Sequence, residues 1–204
     1  MTDPSTAARD ERAAAGWLAA QQDVAGRAAH ELKNTLNGVA VNLEVVRSRL
    51  ARPGVQPEQV QRFAEAAVDQ LDQLTRQVEA LLALTRAARE PVDVGATVRQ
   101  LLALRPPDTT VSLAPGDAPL TSADPALVRL ALASALRAGV PSIDATADGR
   151  ARVRVDGAGP LDPATLALLA PAGVDATHEG PPEGAPTLTL IFPARGPRPA
   201  ETEI

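Results

Sequence analysis

The sequence predicts an α plus α/β fold, in which an antiparallel helical hairpin precedes a smaller domain of helices and strands. Two long stretches carry apolar residues on alternating four- and three-residue steps, and Pro53-Gly54 separates them. Beyond about residue 90 the apolar segments become short and are interrupted by Pro, Gly, Asp and Thr. The chain is therefore predicted to contain a hairpin over residues 7–89, a second domain over residues 90–195 and a disordered tail over residues 196–204.

The first helix is predicted from about Ala7 to Leu50 because one face carries a heptad series with a single polar member. The series is Leu18, Gln22, Ala25, Ala29, Leu32, Leu36, Val39, Leu43, Val46 and Leu50. The second helix begins near Pro57-Glu58. Its series is Val60, Ala64, Ala67, Leu71, Leu74, Val78, Leu81 and Thr85. Two helices with one apolar stripe each bury little surface alone, so two copies are predicted to associate as a homodimeric four-helix bundle.

Shorter elements are predicted in the second domain. Strands are expected at Pro91 to Val94, at Val111 to Leu113, at Ala151 to Val155 and at Thr187 to Phe192. Helices are expected from Val98 to Leu104, from Asp124-Pro125 to Arg137 and over a short stretch from Leu161 to Leu169. The order suggests a layered domain with helices on one face of a mixed sheet.

Composition excludes several classes of function. The chain has 204 residues, 45% of them hydrophobic and only 1% aromatic, which favours a core of Ala, Leu and Val. The lack of cysteine excludes disulfides and thiolate chemistry, and two distant histidines disfavour a metal site. A net charge of −5 argues against a nucleic-acid partner. Without a membrane-length apolar run or a secretory leader, we expect a cytoplasmic protein with no membrane partner.

The first helix also carries the residues that point to chemistry. His30 and Asn34 lie one turn apart on the same face, beside the apolar seam, with Glu31 and Lys33 next to them. A neutral imidazole nitrogen is a competent nucleophile toward phosphorus, and Glu31 could accept the ring proton or fix the tautomer. Asn34 could orient a water molecule or a phosphoryl oxygen. A solvated helix face is the alternative interpretation of these residues.

The stretch from Ala29 to Asn37 resembles the phosphoacceptor box of bacterial two-component sensor histidine kinases, in which H-E-x-[KR]-N-P-L recurs. The resemblance implies that His30 is the phosphoacceptor of a dimerisation and histidine-phosphotransfer domain. It departs from the family at Thr35, where proline is usual, so a weaker helix kink is expected.

The second domain resembles a shortened ATP-binding domain of these kinases, a reduced α/β sandwich, but lacks the residues that hold nucleotide. The family's two asparagines correspond to Ser134 and Ala138, and alanine cannot coordinate magnesium. The D-x-G-x-G loop is represented by Asp156, Gly157 and Gly159 with one residue missing, and would bind only if nucleotide binds at all. A plain turn is an equally acceptable interpretation of this loop. His178 is expected to be a solvated loop residue.

The resulting hypothesis is a dimeric phosphorelay protein, similar to histidine phosphotransferases, that carries a phosphoryl group on His30. It would exchange that group with the aspartates of response-regulator receiver domains and would need no cofactor of its own. Two alternatives remain. One is an active histidine kinase without a sensor, using ATP and magnesium, and the other is a non-catalytic dimeric pseudokinase adaptor. Dephosphorylation of a receiver is a variant of the main hypothesis.

Overall fold

The computed structural model describes residues 4–86, 91–105, 119–180 and 185–195, and the predicted tail and the predicted strand at Val111 to Leu113 lie outside them. The helices are α1 (Pro4–Leu50), α2 (Glu58–Thr85), α3 (Val94–Ala103), α4 (Pro125–Ala135) and α5 (Pro163–Leu169). The strands are β1 (Val92–Asp93), β2 (Leu120–Thr121), β3 (Val140–Ala145), β4 (Ala151–Asp156), β5 (Asp175–Glu179) and β6 (Thr187–Phe192). In the part of the chain that is described, no helix combines the length and the apolar character needed to cross a bilayer.

The predicted hairpin is present, and each apolar seam divides into two rows of seven-residue spacing. One row on each helix is buried or half-buried apart from its first member on α1, exposed Leu18: Ala25, Leu32, Val39 and Val46 on α1, and Val60, Ala67, Leu74 and Leu81 on α2. The other row is exposed along its whole length: Gln22, Ala29, Leu36, Leu43 and Leu50 on α1, and Ala64, Leu71, Val78 and Thr85 on α2. A single chain therefore covers only half of each seam.

Polar layers interrupt the contact between α1 and α2. Asn42 donates a hydrogen bond of 3.0 Å from Nδ2 to Gln70 Oε1. Gly38 makes room for that amide, because a Cβ there would collide with the Gln70 side chain. Thr35 and Gln77 form a second layer, in which both side chains are buried. The layer of Asn42 and Gln70 favours one register of the two helices, since a slip would leave these two amides unpaired.

The main sheet has the strand order β3-β4-β6-β5, and every pairing is antiparallel. The prediction of a mixed sheet is wrong: β3 and β4 are joined by a tight turn, which permits only antiparallel pairing, and β6 runs antiparallel to both β4 and β5. The turn between β3 and β4 is closed by Thr146 and Arg150, whose backbone groups bond at 2.9 Å. Strands β3 and β5 were not predicted, and β2 pairs with β1 as a separate two-stranded sheet.

One face of the main sheet carries the core of the second domain. Alternate residues of β4 and β6 are buried: Ala151, Val153, Val155, Leu188, Leu190 and Phe192. Each domain helix is capped by an aspartate that accepts backbone N–H bonds, Asp93 for α3, Asp124 for α4 and Asp162 for α5. The caps fix where the helices begin, and the helices of the domain share one buried cluster with the sheet.

The second domain packs directly on the first half of the hairpin. Trp17, Val24 and Ala28 of α1 belong to the same buried cluster as the residues of α4. Arg129 of α4 lies 5.8 Å from the centre of the Trp17 ring and donates a hydrogen bond of 3.0 Å to the Arg86 carbonyl. A cation at the end of α2 satisfies a carbonyl that the helix leaves free. Burial lowers the pKa of Arg129.

Candidate functional site

His30 lies on α1 with its side chain exposed, a little past the midpoint of the helix. Glu31 is half-buried, while Lys33 and Asn34 are exposed. Since residues three and four positions apart are neighbours on a helix surface, His30, Lys33 and Asn34 share one side of α1. The candidate residues predicted from the sequence thus lie together on α1, and the His30 imidazole is accessible to a macromolecule.

Thr35 maintains the helix where the kinase box usually has proline. Helix α1 is continuous from Pro4 to Leu50. The Thr35 hydroxyl donates to the Glu31 carbonyl at 3.0 Å, and the side chain is buried against α2. The hydroxyl therefore anchors the helix turn that carries His30 to the hairpin interior.

A cleft of about 580 Å³ opens between α1 and the ends of α3 and α4, and His30 and Glu31 lie on its wall. The apolar part of the wall comes from Val24, Leu101, Leu104, Ala133 and Leu136. Three arginines from three different segments line the same cleft: Arg27, Arg105 and Arg137. The structure thus brings charged groups of the second domain to the phosphoacceptor candidate.

Sequence reasoning did not identify these arginines. Arg27 lies one helical turn before His30, so the helix period could have indicated it. Arg105 follows α3 and Arg137 follows α4, and no local pattern connects either with His30. Only the packing of the second domain on α1 brings them together.

Ion pairs and burial determine the charge of the cleft. Asp23 pairs with Arg27 at 2.6 Å and with Arg137 at 3.2 Å. Arg105 donates to the Gly139 carbonyl at 2.9 Å. Burial, and then repulsion by Arg27, lower the pKa of Arg105. Three guanidinium groups and two carboxylates, those of Asp23 and Glu31, line the cleft, which leaves an excess of one positive charge when His30 is not counted.

The candidate nucleotide residues lie elsewhere. Asp156 ends β4 with its side chain exposed, and it accepts a hydrogen bond of 2.8 Å from the Thr187 hydroxyl. It lines a different groove of about 290 Å³ with Ser142, Arg154, Glu179, Thr187 and Thr189. In the pairing of β4 with β6, Asp156 lies opposite Thr187, and its neighbour Val155 lies opposite buried Leu188. Since successive side chains of a strand point to opposite faces, Asp156 lies on the sheet face away from the core.

The backbone conformation of the loop after Asp156 explains why its first residue, Gly157, is a glycine. Gly157 has φ of +83° and donates its N–H to the Pro186 carbonyl at 2.7 Å. Gly159, the other candidate, has nothing within 4 Å of the position a Cβ would take. Gly157 therefore serves the turn, because a left-handed backbone favours glycine.

The remaining candidates of the second domain show no cation site. Ser134 is half-buried on α4, and Ala138 follows the helix as an exposed residue. Over the described ranges, no group of three His, Cys, Asp or Glu residues converges in a way that could hold a metal ion. The prediction of His178 as a loop residue is wrong, because it lies on β5 and pairs with Leu188. The sequence pattern missed this strand because polar residues dominate it, and His178 is exposed as expected.

Comparison with known proteins identifies the hairpin. Residues 20–90 match the family model of the His Kinase A (phospho-acceptor) domain. No curated protein sequence matches the chain.

Several solved structures are similar to the chain at low identity. A bacterial phosphotransferase shares 18% identity over 85% of this chain and 96% of that chain, with a TM-score of 0.42. ShkA in complex with AMPPNP shares 21% identity over 85% of this chain and 46% of that chain, with a TM-score of 0.38. The histidine kinase domain of the Erythrobacter litoralis EL346 blue-light activated histidine kinase shares 14% identity over 79% of this chain and 94% of that chain, with a TM-score of 0.33.

The family match includes the whole of the box from Ala29 to Asn37 and the whole of α2. The fold agrees with it, since a long hairpin is followed by a small domain of helices on an antiparallel sheet. The match over residues 20–90 therefore supports a two-component histidine kinase-like family for the hairpin that carries His30.

Proposed function

We propose that this protein carries a phosphoryl group on His30 and exchanges it with the aspartates of response-regulator receiver domains. The observation that carries the proposal is the exposed His30 imidazole, within a matched phospho-acceptor domain, at the edge of a cleft with excess positive charge. A phosphoryl donor the size of a protein domain needs such an accessible nucleophile. The positive charge favours the approach of a phosphorylated, acidic partner.

The exchange needs only one bond to form and one to break. A neutral imidazole nitrogen of His30 attacks the phosphorus of an aspartyl phosphate, the N–P bond forms, and the receiver carboxylate leaves as the P–O bond breaks. In the return direction a receiver carboxylate attacks phosphorus, and the imidazole nitrogen leaves with the bonding electrons. No net proton is consumed when the second ring nitrogen keeps its hydrogen.

Neighbouring side chains of α1 orient this nucleophile. Half-buried Glu31 is adjacent to His30 on the cleft wall, where its carboxylate can accept the remaining ring N–H and select the reactive tautomer. Exposed Lys33 and Asn34 share the His30 side of α1 and contact phosphoryl oxygens of an incoming group. The same Asn34 amide could orient a water molecule, which makes receiver dephosphorylation the related activity to assay.

The exchange as proposed does not use nucleotide. ATP with magnesium is the cofactor pair that the family would imply, and the residues of the second domain do not fit it. Ala138 has no side-chain donor or acceptor. The Asp156 carboxylate is bonded to Thr187 on the outer face of the sheet, away from the helices. The proposed role of this domain is to complete the cleft beside His30 and to provide a docking surface.

The functional unit in this proposal is a homodimer. The exposed rows of the two seams contain Leu36, Leu43 and Leu50 on α1 and Leu71 and Val78 on α2. On each helix this exposed row runs beside the buried row and has the same seven-residue spacing. A second copy, whose own hairpin offers the same exposed rows, completes a four-helix bundle with all seam residues inside.

The test is to supply phosphate from two sources. The purified protein is incubated with a radiolabelled phosphorylated receiver domain or with radiolabelled ATP, and acid-labile label on the chain is measured. His30→Ala is compared with His178→Ala, which removes the only other histidine. We expect label from the receiver alone, lost in His30→Ala and retained in His178→Ala. Label from ATP would instead establish a kinase, and no label from either source would establish a non-catalytic adaptor.

A further inference from the structure

The three arginines of the His30 cleft are held close together without enough anions of their own. Asp23 is the only carboxylate with a direct ion pair to any of them within the described residues, and both Arg27 and Arg137 use it. Arg105 bonds a carbonyl, and the charge of Arg27 acts on it unfavourably. Convergence of like charges costs free energy unless an anion occupies the space between them.

The geometry of the cleft suits a small, multiply charged anion. The cleft has a volume of about 580 Å³, exposed His30 lies on its wall, and the arginines come from α1, the end of α3 and the end of α4. Guanidinium groups bind phosphate oxygens through paired N–H donors, which makes arginine well suited to this ligand. An anion attached to His30 would lie on the wall of the cleft that all three arginines line.

We propose that Arg27, Arg105 and Arg137 form a phosphoryl-binding site that holds the phosphoryl group of phosphorylated His30. This inference rests on the function proposed above, and it adds that the second domain takes part in the chemistry as a positioning element. Arg105 and Arg137 belong to that domain, so its packing on α1 through Trp17 and Val24 determines where their charges lie. Asp23 keeps Arg27 and Arg137 oriented before the phosphoryl group arrives.

The experiment measures anion binding without any receiver. The unphosphorylated protein is titrated with inorganic phosphate at millimolar concentrations, with sodium chloride added to hold the ionic strength constant. The ring signals of His30 and His178 are followed by NMR. Because the chain has two histidines only, His178 on β5 serves as an internal reference. We expect the His30 signal to shift with saturation and the His178 signal to stay in place.

Four substitutions separate the site from general charge effects. Arg105→Gln and Arg137→Gln should each weaken phosphate binding about three- to tenfold, as expected for the loss of one partly exposed charged hydrogen bond. Arg99→Gln removes the same charge from α3 at a position outside the cleft, and it should change binding by less than about twofold. Circular dichroism confirms that each variant is folded, and Arg105→Lys should recover part of the affinity.

The two proposals fail in different ways. Equal phosphate affinity in the wild type, Arg105→Gln and Arg137→Gln would overturn the phosphoryl-binding site, as would no shift of His30. The opposite failure has two parts: phosphate binding depends on these arginines, but no phosphorylated receiver labels the protein. That result would overturn the exchange function and leave the binding site in place. With a phosphorylated receiver as donor, the fraction of label on His30 at equilibrium should fall about three- to tenfold in each variant.

Discussion

Gln77 offers a direct test of the hairpin interior, because its amide is buried with one end unpaired. The side chain is 1% exposed, and Nε2 has no hydrogen-bond partner in the described part of the chain. Thr35 Oγ1 lies 3.5 Å from Gln77 Oε1, but its single hydrogen already points to the Glu31 carbonyl at 3.0 Å. Rotating the amide by 180° would let Nε2 donate to Thr35 Oγ1 and would leave Oε1 unpaired instead.

Gln77→Met should therefore stabilise the protein. An unsatisfied buried polar group costs about 1–3 kcal/mol, and a hydrogen bond at 3.5 Å returns little of that. Methionine has nearly the same length and flexibility as glutamine, so it fills the space without a cavity. We expect an increase of about 1–2 kcal/mol in the free energy of unfolding, or about 2–8 °C in Tm for a chain of this size.

The measurement is urea unfolding followed by circular dichroism at one fixed protein concentration, since association would otherwise change the apparent stability. Gln59→Met, at an exposed position near the start of α2, is the matched control and should stay within about 0.5 kcal/mol. A Gln77→Met protein that is less stable than the wild type would refute the reasoning, because the amide would then have to make hydrogen bonds that the structure lacks.

Three further substitutions test other parts of the molecule. Gly139→Ala should cost about 2–4 kcal/mol by urea unfolding, because φ is +87° and a Cβ would collide with a backbone oxygen; Gly149→Ala, with φ of +77° and open space, should cost about 1 kcal/mol. Asp162→Ala should cost about 1 kcal/mol at pH 7. The Thr165 hydroxyl and amide lower the pKa of Asp162, so its contribution is present above pH 4 or so and is lost as pH falls through its folded-state pKa. Leu43→Glu should raise the dimer dissociation constant at least about 100-fold in analytical ultracentrifugation.

Each of these has an outcome that would contradict it. Equal costs for Gly139→Ala and Gly149→Ala would show that the close approach to Asp156 does not limit the turn. A cost for Asp162→Ala that does not decrease as the pH falls through the folded-state pKa of Asp162 would assign the effect to packing, since protonation of the carboxyl would then have changed nothing. Val41→Glu is the control for Leu43→Glu: Val41 is 63% exposed but outside both seam rows, and equal dissociation by the two variants would contradict the proposed interface.

The hairpin could be predicted from the sequence because its signal is long and local. Heptad spacing continues over more than four repeats on α1, and Pro53-Gly54 interrupts it where the helices separate. The division of each seam into a buried row and an exposed row could not be predicted. Hydrophobic periodicity identifies residues that avoid water, but does not reveal which neighbour covers them.

The second domain was harder to predict because much of its structure depends on distant contacts. Strands β4 and β6 were recognised, since their alternate residues are buried and apolar. Strand β5 contains Asp175, Thr177, His178 and Glu179, and its edge position leaves these side chains exposed. Such a strand gains its stability from pairing with β6 rather than from apolar burial, so composition gives no sign of it. The cleft arginines could not be predicted for the same reason, because they line one cleft only in the folded chain.

The arrangement of neighbours along α1 explains why His30 lies where it does. Up to about Ala28, the helix is covered by the second domain through Trp17 and Val24. Beyond Thr35, α2 is its described neighbour on one side, and the exposed seam residues such as Leu43 are free to meet a second copy. His30 lies between these stretches, where the domain supplies arginines on one side and solvent remains on the other. The proposed exchange requires both conditions, since His30 would have to accept a phosphoryl group from a macromolecule and then stabilise it, and this boundary on α1 provides them.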